Sequence, residues 1–225
     1  MVSDSLYVLG DSIARGILYD ESKGVYSLCR NTFDTVLKKM GVNVKNYSKM
    51  GCTSVSALSI LDKCENRNGA IAAIEFGGND SDLNWKSVAE HPEVFHEAAV
   101  TLPEFIQSIR EMIRGFRKRG MRPVVVTPLP IVSERYYRQV SKNLDAKAIL
   151  TYLGNEDSIY RWQERYSYAA WEAAHKESCG VFDLRSLFLN RRDFHSLMGP
   201  DGIHPNEKGY AVISEAVEKA WKNGL

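Results

Sequence analysis

At 225 residues and 44% hydrophobic, the chain is long enough to bury one sizeable core, and a single domain spanning 1–225 is expected. Basic and acidic side chains nearly cancel (29 against 28), so bulk charge gives no reason to expect a polyanionic partner such as nucleic acid. Apolar stretches all fall short of membrane length, and Met1 to Ser5 runs straight into the first apolar segment without a charged n-region and apolar h-region. No membrane partner is therefore expected, and the location reads as cytoplasmic unless a leader has been trimmed. Cys29, Cys52, Cys64 and Cys179 are scattered, without Cys-x-x-Cys spacing or histidines at zinc-like intervals, so free thiols are expected and no metal site.

The first apolar run, Leu6 to Leu9, reads as a buried strand that Gly10-Asp11-Ser12 closes before a helix-like stretch. Phe33, Val36, Leu37 and Met40 form a helical face ended by Gly41. Strand-like runs follow at Val42 to Tyr47, with Gly51 just beyond it, and at Ala70 to Phe76, which leads into Gly77-Gly78-Asn79-Asp80. From Leu102 to Phe116 apolar residues repeat at helical spacing with charged residues opposite, and Gly120 and Pro123 stop the pattern. The basic cluster Arg114, Arg117, Lys118, Arg119 and Arg122 lies near that helix's C-terminal end, where cations complement the helix dipole.

Pro123 to Thr127 reads as a fourth strand. The segment Ile131 to Ser178 then departs from simple alternation and crowds Tyr136, Tyr137, Tyr152, Tyr160, Trp162, Tyr166, Tyr168 and Trp171 together, an elaboration near a site. Within it Leu153-Gly154-Asn155 marks a break, after which Asp157 or Ser158 caps a helix running to about Lys176. A fifth strand is expected at Val181 to Asp183. A final helix carries Tyr210, Ile213, Val217, Ala220 and Trp221 on one face.

Strands alternating with helices imply an α/β fold with a parallel sheet covered on both sides. In the flavodoxin-like order 2-1-3-4-5, Ser12, Gly51 and Asn79 meet at the carboxyl ends of strands 1, 2 and 3, where ligands bind in such sheets. The rival α/β-hydrolase arrangement expects a Gly-x-Ser-x-Gly elbow in mid-chain, which this sequence lacks.

Each candidate residue has an ordinary structural reading beside the chemical one. Asp11 and Ser12 are both good helix N-caps, yet a serine at the first strand-to-helix junction also suits a nucleophile whose attack creates an oxyanion. His204 precedes Pro205 and reads as standing at or beside the N-cap of the last helix. Asp201 could fold back across the Gly202 turn to accept its Nδ1–H, leaving Nε2 to take the serine proton. Asn79 suits a turn but also an oxyanion donor. Gly51, lacking Cβ, lets an oxygen approach the main chain. Asp11 and Asp80 read as turn and network builders. His91, His96 and His175 read as surface residues, and His195, beside Asp193, as the second candidate for the base.

At these residues the chain resembles the SGNH hydrolases, or GDSL esterases and lipases. Val8-Leu9-Gly10-Asp11-Ser12 resembles the nucleophile block, with Ile13 where the common pattern has leucine. Gly51 in Tyr47-Ser48-Lys49-Met50-Gly51 resembles the glycine block, Gly77-Gly78-Asn79-Asp80 the Gly-x-Asn-Asp block, and Asp201-Gly202-Ile203-His204-Pro205-Asn206 the Asp-x-x-His block. The four stand in the family's order over nearly the whole chain. The resemblance implies a three-layer flavodoxin-like fold, a central five-stranded parallel sheet flanked by helices, and chemistry without cofactor or metal. It implies Ser12 as nucleophile, His204 as base and then acid, Asp201 as orienter, and Ser12 N–H, Gly51 N–H and the Asn79 amide as oxyanion donors.

The expected activity is hydrolysis of a small-molecule carboxylic ester through an acyl-serine, with acetyl on a carbohydrate as the favoured substrate. Trp85 and the aromatic segment Tyr136 to Trp171 are read either as a sugar or aryl pocket or as helix packing. The alternatives are a lysophospholipase or acyl-thioesterase, an acyltransferase, and a non-catalytic binding protein on the same fold. Oligomeric state is not legible.

Overall fold

The structure is a computed structural model and describes residues 3–224. In chain order it runs β1 (Ser5–Gly10), α1 (Ser12–Arg15), β2 (Ile17–Asp20), β3 (Val25–Leu28), α2 (Phe33–Lys39), β4 (Asn43–Asn46), α3 (Ser54–Leu61), β5 (Ile71–Glu75), α4 (Trp85–Glu90) and α5 (Leu102–Lys118). There follow β6 (Arg122–Val126), α6 (Ser133–Ser141), α7 (Ala146–Leu153), α8 (Asp157–Lys176), β7 (Gly180–Phe182), α9 (Leu184–Leu189), α10 (Phe194–Leu197) and α11 (Glu207–Lys222).

The central sheet is parallel, in the order β4-β1-β5-β6-β7. Counting only its own strands along the chain, that is the anticipated order 2-1-3-4-5. Strand β1, paired with β4 on one side and β5 on the other, is buried along its whole length, and its side chains alternate between the two faces. Tyr7 and Leu9 point to the side where Phe105, Ile109, Met112 and Phe116 of α5 and Tyr166 of α8 pack; Leu6 and Val8 point to the side covered by Leu37 of α2 and Trp221 of α11.

The longest apolar stripe read from the sequence is α5. Its start is fixed by a capping box, with Thr101 and Glu104 each bonding the other's backbone. Burying each of its large apolar residues stabilises the fold by roughly 1.5–3 kcal/mol. Most of the basic cluster at its C-terminal end is occupied within the protein: Arg114, with Arg110 one turn earlier, reaches the Glu177 carboxylate at 2.7 Å, Arg117 bonds the Glu177 and Ser178 carbonyls, Arg119 the Cys64 carbonyl and Arg122 the Gly224 carbonyl.

Three local features differ from the sequence reading. A two-stranded antiparallel hairpin, β2–β3, stands apart from the main sheet. The aromatic segment, for which only the helix after the 153–155 break was expected, folds as three helices, α6, α7 and α8, with Gly154 ending α7 at φ 76°. Neither Asp157 nor Ser158 caps α8; the N-cap is Glu156, and the Ser158 hydroxyl instead donates to the Leu153 carbonyl at 2.6 Å.

Candidate active site

The site grows from the carboxyl ends of the first three strands of the parallel sheet. Gly10 ends β1 where a Cβ would lie 2.8 Å from the Ala14 Cβ and 3.1 Å from the Glu75 carbonyl, so the turn has no room for a side chain. Asp11 caps α1, its Oδ1 accepting the Ile13 N–H at 2.9 Å. That cap puts Ser12 at the start of α1 with only 7% of its surface exposed.

From the other end of the chain, the turn before α11 brings Asp201 and His204. Gly202 sits at φ 78°, and a Cβ there would lie 2.5 Å from the Val132 carbonyl oxygen, so glycine is required on both counts. Asp201 Oδ1 accepts the backbone N–H groups of Ile203 and His204 at 3.3 and 3.2 Å, and Oδ2 lies 2.6 Å from His204 Nδ1. His204 Nε2 lies 2.8 Å from Ser12 Oγ. With Nδ1–H donated to the carboxylate, Nε2 is left as the acceptor for the serine hydroxyl. Asp201 and His204 are buried, and Tyr26 of the hairpin sets its ring edge-on to the imidazole at 5.4 Å. The N-cap of α11 is Asn206, so His204 stands two residues ahead of the cap.

Asn79 ties the loops together, its Nδ2 donating to Asp11 Oδ2 at 3.1 Å and to the Cys52 carbonyl at 3.2 Å. Gly51, beside Cys52, is exposed with φ 73°, and nothing crowds its Cβ position, so its requirement for glycine is conformational. Asp80 anchors the same loop from below, Oδ1 accepting both the N–H and the hydroxyl of Ser54 at 2.8 and 2.5 Å. Its Oδ2 is buried without a partner, and burial pushes its pKa up to about 6.

Under the nucleophile lies a second carboxyl that the sequence reading did not single out. Glu75, the last residue of β5, is buried against Asp11; Asp11 N–H reaches Glu75 Oε2 at 3.4 Å, and the two side chains are hydrogen-bonded. Burial raises the pKa of both, that of Glu75 well above the usual carboxylate range. Two adjacent buried carboxylates cannot both ionise at little cost. Asp11 collects the Ile13 and Asn79 donors, which favour its charged form, so the proton is held more strongly on Glu75.

A cavity of about 330 Å³ opens above Ser12, Asn79 and His204. Gly51 is not among its walls. Trp85, Tyr136, Tyr152 and Trp162 are, so the aromatic segment contributes three rings to the pocket. Of its other members, Tyr166 lies in the core, Tyr137 donates to the Ala146 carbonyl, Trp171 stacks on His175 at the surface, and Tyr168 is exposed. Asp82 holds two of the wall rings, its Oδ1 accepting the Tyr136 hydroxyl at 2.6 Å and the Trp85 Nε1–H at 2.8 Å.

His195 is exposed beside Glu134, 3.8 Å away, and takes no part in the Ser12 cluster. His96 is not a surface residue: it is buried, with Nε2 2.9 Å from the His91 carbonyl and its ring against Tyr152. Sequence reasoning also missed Tyr26 and Asp82. The hairpin carrying Tyr26 had a readable signal, two short β-prone runs either side of a polar, glycine-containing turn; the pairing of Asp82 with Tyr136 had none.

Comparison with known proteins identifies the family. The family model for GDSL-like Lipase/Acylhydrolase matches residues 6–217. The chain is 25% identical over 223 residues to the isoamyl acetate-hydrolyzing esterase of Saccharomyces cerevisiae, covering 96% of this chain and 85% of the relative. Its fold is similar to a lipase/acylhydrolase from Enterococcus faecalis (TM-score 0.65, 17% identity, 98% of this chain and 97% of that one). It is also similar to a mutant of an acetyl-xylooligosaccharide esterase from Geobacillus (TM-score 0.64, 15% identity, 97% and 94%). The match across almost the whole length, on a five-stranded parallel sheet of the expected order, means that the chain belongs to the GDSL-like lipase/acylhydrolase family and is a carboxylic ester hydrolase.

Proposed function

We propose that Ser12 is the nucleophile, His204 the base and then the acid, and Asp201 the orienter of His204 in hydrolysis of a short-chain carboxylic ester. The observation that carries this reading is the unbroken relay from Asp201 Oδ2 to His204 to Ser12 Oγ, at 2.6 and 2.8 Å, on the wall of the cavity. Ser12 Oγ attacks the ester carbonyl as its proton passes to His204 Nε2. The tetrahedral intermediate expels the alcohol, which leaves with that proton. Water then gives a proton to His204 and attacks the acyl-serine, and His204 returns the proton to Ser12 as the acid departs.

The oxyanion is assigned to Ser12 N–H, Gly51 N–H and the Asn79 amide. Asn79 Nδ2 meets Asp11 and Cys52 acceptors in the free enzyme. A forming oxyanion draws one of those hydrogens toward itself.

A cavity of about 330 Å³ suits a short acyl group and a small alcohol rather than a lipid chain. The esterase relative is named for a small acetate, isoamyl acetate, which supports acetyl as the acyl group. A carbohydrate acetate is the second reading, favoured by the four aromatic walls. The four free cysteines support a cytoplasmic location. Initial rates on p-nitrophenyl acetate, butyrate, octanoate and palmitate test the size argument. The two short esters are expected to lead in kcat/KM, and a maximum at octanoate or palmitate contradicts it.

A further inference from the structure

Most polar side chains lining the cavity are spent inside the protein, although the Trp162 Nε1–H is buried without a partner. The Gln163 amide donates to the Leu129 carbonyl and accepts from Arg185, the Ser158 hydroxyl donates to the Leu153 carbonyl, and the Ser81 hydroxyl to the Gly78 carbonyl. Tyr152 is paired with the His96 backbone, and the Tyr136 hydroxyl and Trp85 N–H both go to Asp82. A polyol seated there leaves several of its hydroxyls without partners, which is costly away from water and weighs against the carbohydrate reading that the aromatic walls alone favour.

What remains for a ligand is of another kind. Both side-chain donors to Asp82 fall on Oδ1, so no side chain occupies Oδ2 in a cavity that Asp82 lines. The rings of Trp85 and Tyr136 are bonded to Asp82, and those of Tyr152 and Trp162 line the same cavity, Trp162 with the Arg165 guanidinium over its ring. The lining holds the carboxyl groups of Asp11, Glu75 and Asp82 and neither lysine nor arginine. Carboxylate plus aromatic faces, with few free hydrogen-bonding groups, is the environment in which a quaternary ammonium binds, because that cation needs charge and π-faces but no hydrogen bonds. The same lining repels phosphorylated or carboxylated leaving groups.

Resting on the ester-hydrolase reading above, we infer that the alcohol side of the cavity selects a cationic alcohol of quaternary-ammonium type, with Asp82 and the surrounding rings as its binding site. The chemistry is unchanged. The acyl group passes to Ser12, the alkoxide leaves as the free amino alcohol with the proton held by His204, and water releases the acid.

The test uses a pair of isosteres, acetylcholine and 3,3-dimethylbutyl acetate, which differ only in a positive nitrogen replacing a carbon, with an O-acetylated xylose as the polyol arm. The expected kcat/KM for acetylcholine is about tenfold above the neutral isostere, with the sugar acetate below both. Asp82→Asn is expected to bring the ratio to about one; a merely structural role for Asp82 lowers both rates and leaves the ratio intact, which would overturn the assignment. A second measurement needs no variant: choline is expected to inhibit wild-type hydrolysis of p-nitrophenyl acetate competitively at concentrations where 3,3-dimethylbutanol does not. Equal or faster turnover of the neutral isostere, preference for the sugar acetate, or equal inhibition by both alcohols overturns the inference while Ser12-dependent hydrolysis still stands. Loss of the ester-hydrolase reading itself is recognised separately, as p-nitrophenyl acetate turnover that survives Ser12→Ala; choline binding measured by calorimetry then still judges the pocket.

Discussion

Ser12 and His204 stand 192 residues apart in the chain, yet Oγ of one lies 2.8 Å from Nε2 of the other. The approach depends on β1 lying inside the sheet, between β4 and β5, and on the turn before α11 folding back over its carboxyl end. Each end is held by its own backbone: Asp11 caps the turn of Ser12, and Asp201 accepts the N–H of the very histidine it orients. The alignment is therefore built before substrate arrives, as efficient proton transfer requires.

Asp201→Asn keeps the size of the side chain but removes the carboxylate that accepts Nδ1–H and stabilises the imidazolium. The expected outcome is a fall in kcat of about 10²–10⁴-fold with a near-normal circular dichroism spectrum. Wild-type kcat in this variant contradicts the role given to Asp201.

Asn79→Ala takes away a proposed oxyanion donor together with the tie between Asp11 and the Cys52 carbonyl. The expected cost is about a hundredfold or more in kcat with a smaller change in KM. Steady-state kinetics decide it, and near-normal kcat excludes Asn79 as a donor to the transition state.

Asp80 supplies a pH dependence whose sign is fixed. Its pKa is raised from 3.8 to about 6 by burial, so the folded protein holds this proton over a wider range than the unfolded chain. The stability it contributes is full below about pH 4 and lost as the pH rises through about 6. Asp80→Asn abolishes that loss and places an amide where Oδ2 has no partner. Its stability relative to wild type is expected to improve by about 2–3 kcal/mol between the two ends of that window. Urea denaturation at pH 4 and pH 7.5 measures the gap; an unchanged difference between the two pH values sinks the argument.

Gly202→Ala meets both a positive φ and two backbone atoms, the Val132 oxygen at 2.5 Å and the Tyr136 nitrogen at 2.7 Å from the new Cβ. Neither can yield as a flexible side chain would. The turn bearing Asp201 and His204 is expected to shift, with Tm reduced and activity falling at least tenfold, since small misplacements at a reacting centre cost that much. Gly51→Ala makes a useful contrast, because its Cβ meets only open space.

The strands and the four chemical blocks were legible because each is a local signal. Apolar runs such as Leu6 to Leu9 and Ala70 to Phe76 are continuous since parallel strands are buried on both faces. Gly10-Asp11-Ser12 and Asp201-Gly202-Ile203-His204 carry their turn chemistry within three or four residues. What escaped depends on distant partners. Glu75 closes an apolar run, and its burial beside Asp11, which raises its pKa, is set by strand pairing that no local pattern shows. Asp82 belongs to the pocket because Tyr136, 54 residues further on, brings its hydroxyl back to it. His96 looked like a surface residue in a polar stretch, and its burial follows from α7 packing over it through Tyr152.

The central claim is that one hydroxyl carries the reaction. Initial rates of wild type and Ser12→Ala on p-nitrophenyl acetate at neutral pH, with matched circular dichroism spectra, test it most directly. The account predicts turnover in the wild type that falls to the uncatalysed background in Ser12→Ala. Turnover retained by a folded Ser12→Ala enzyme would contradict it.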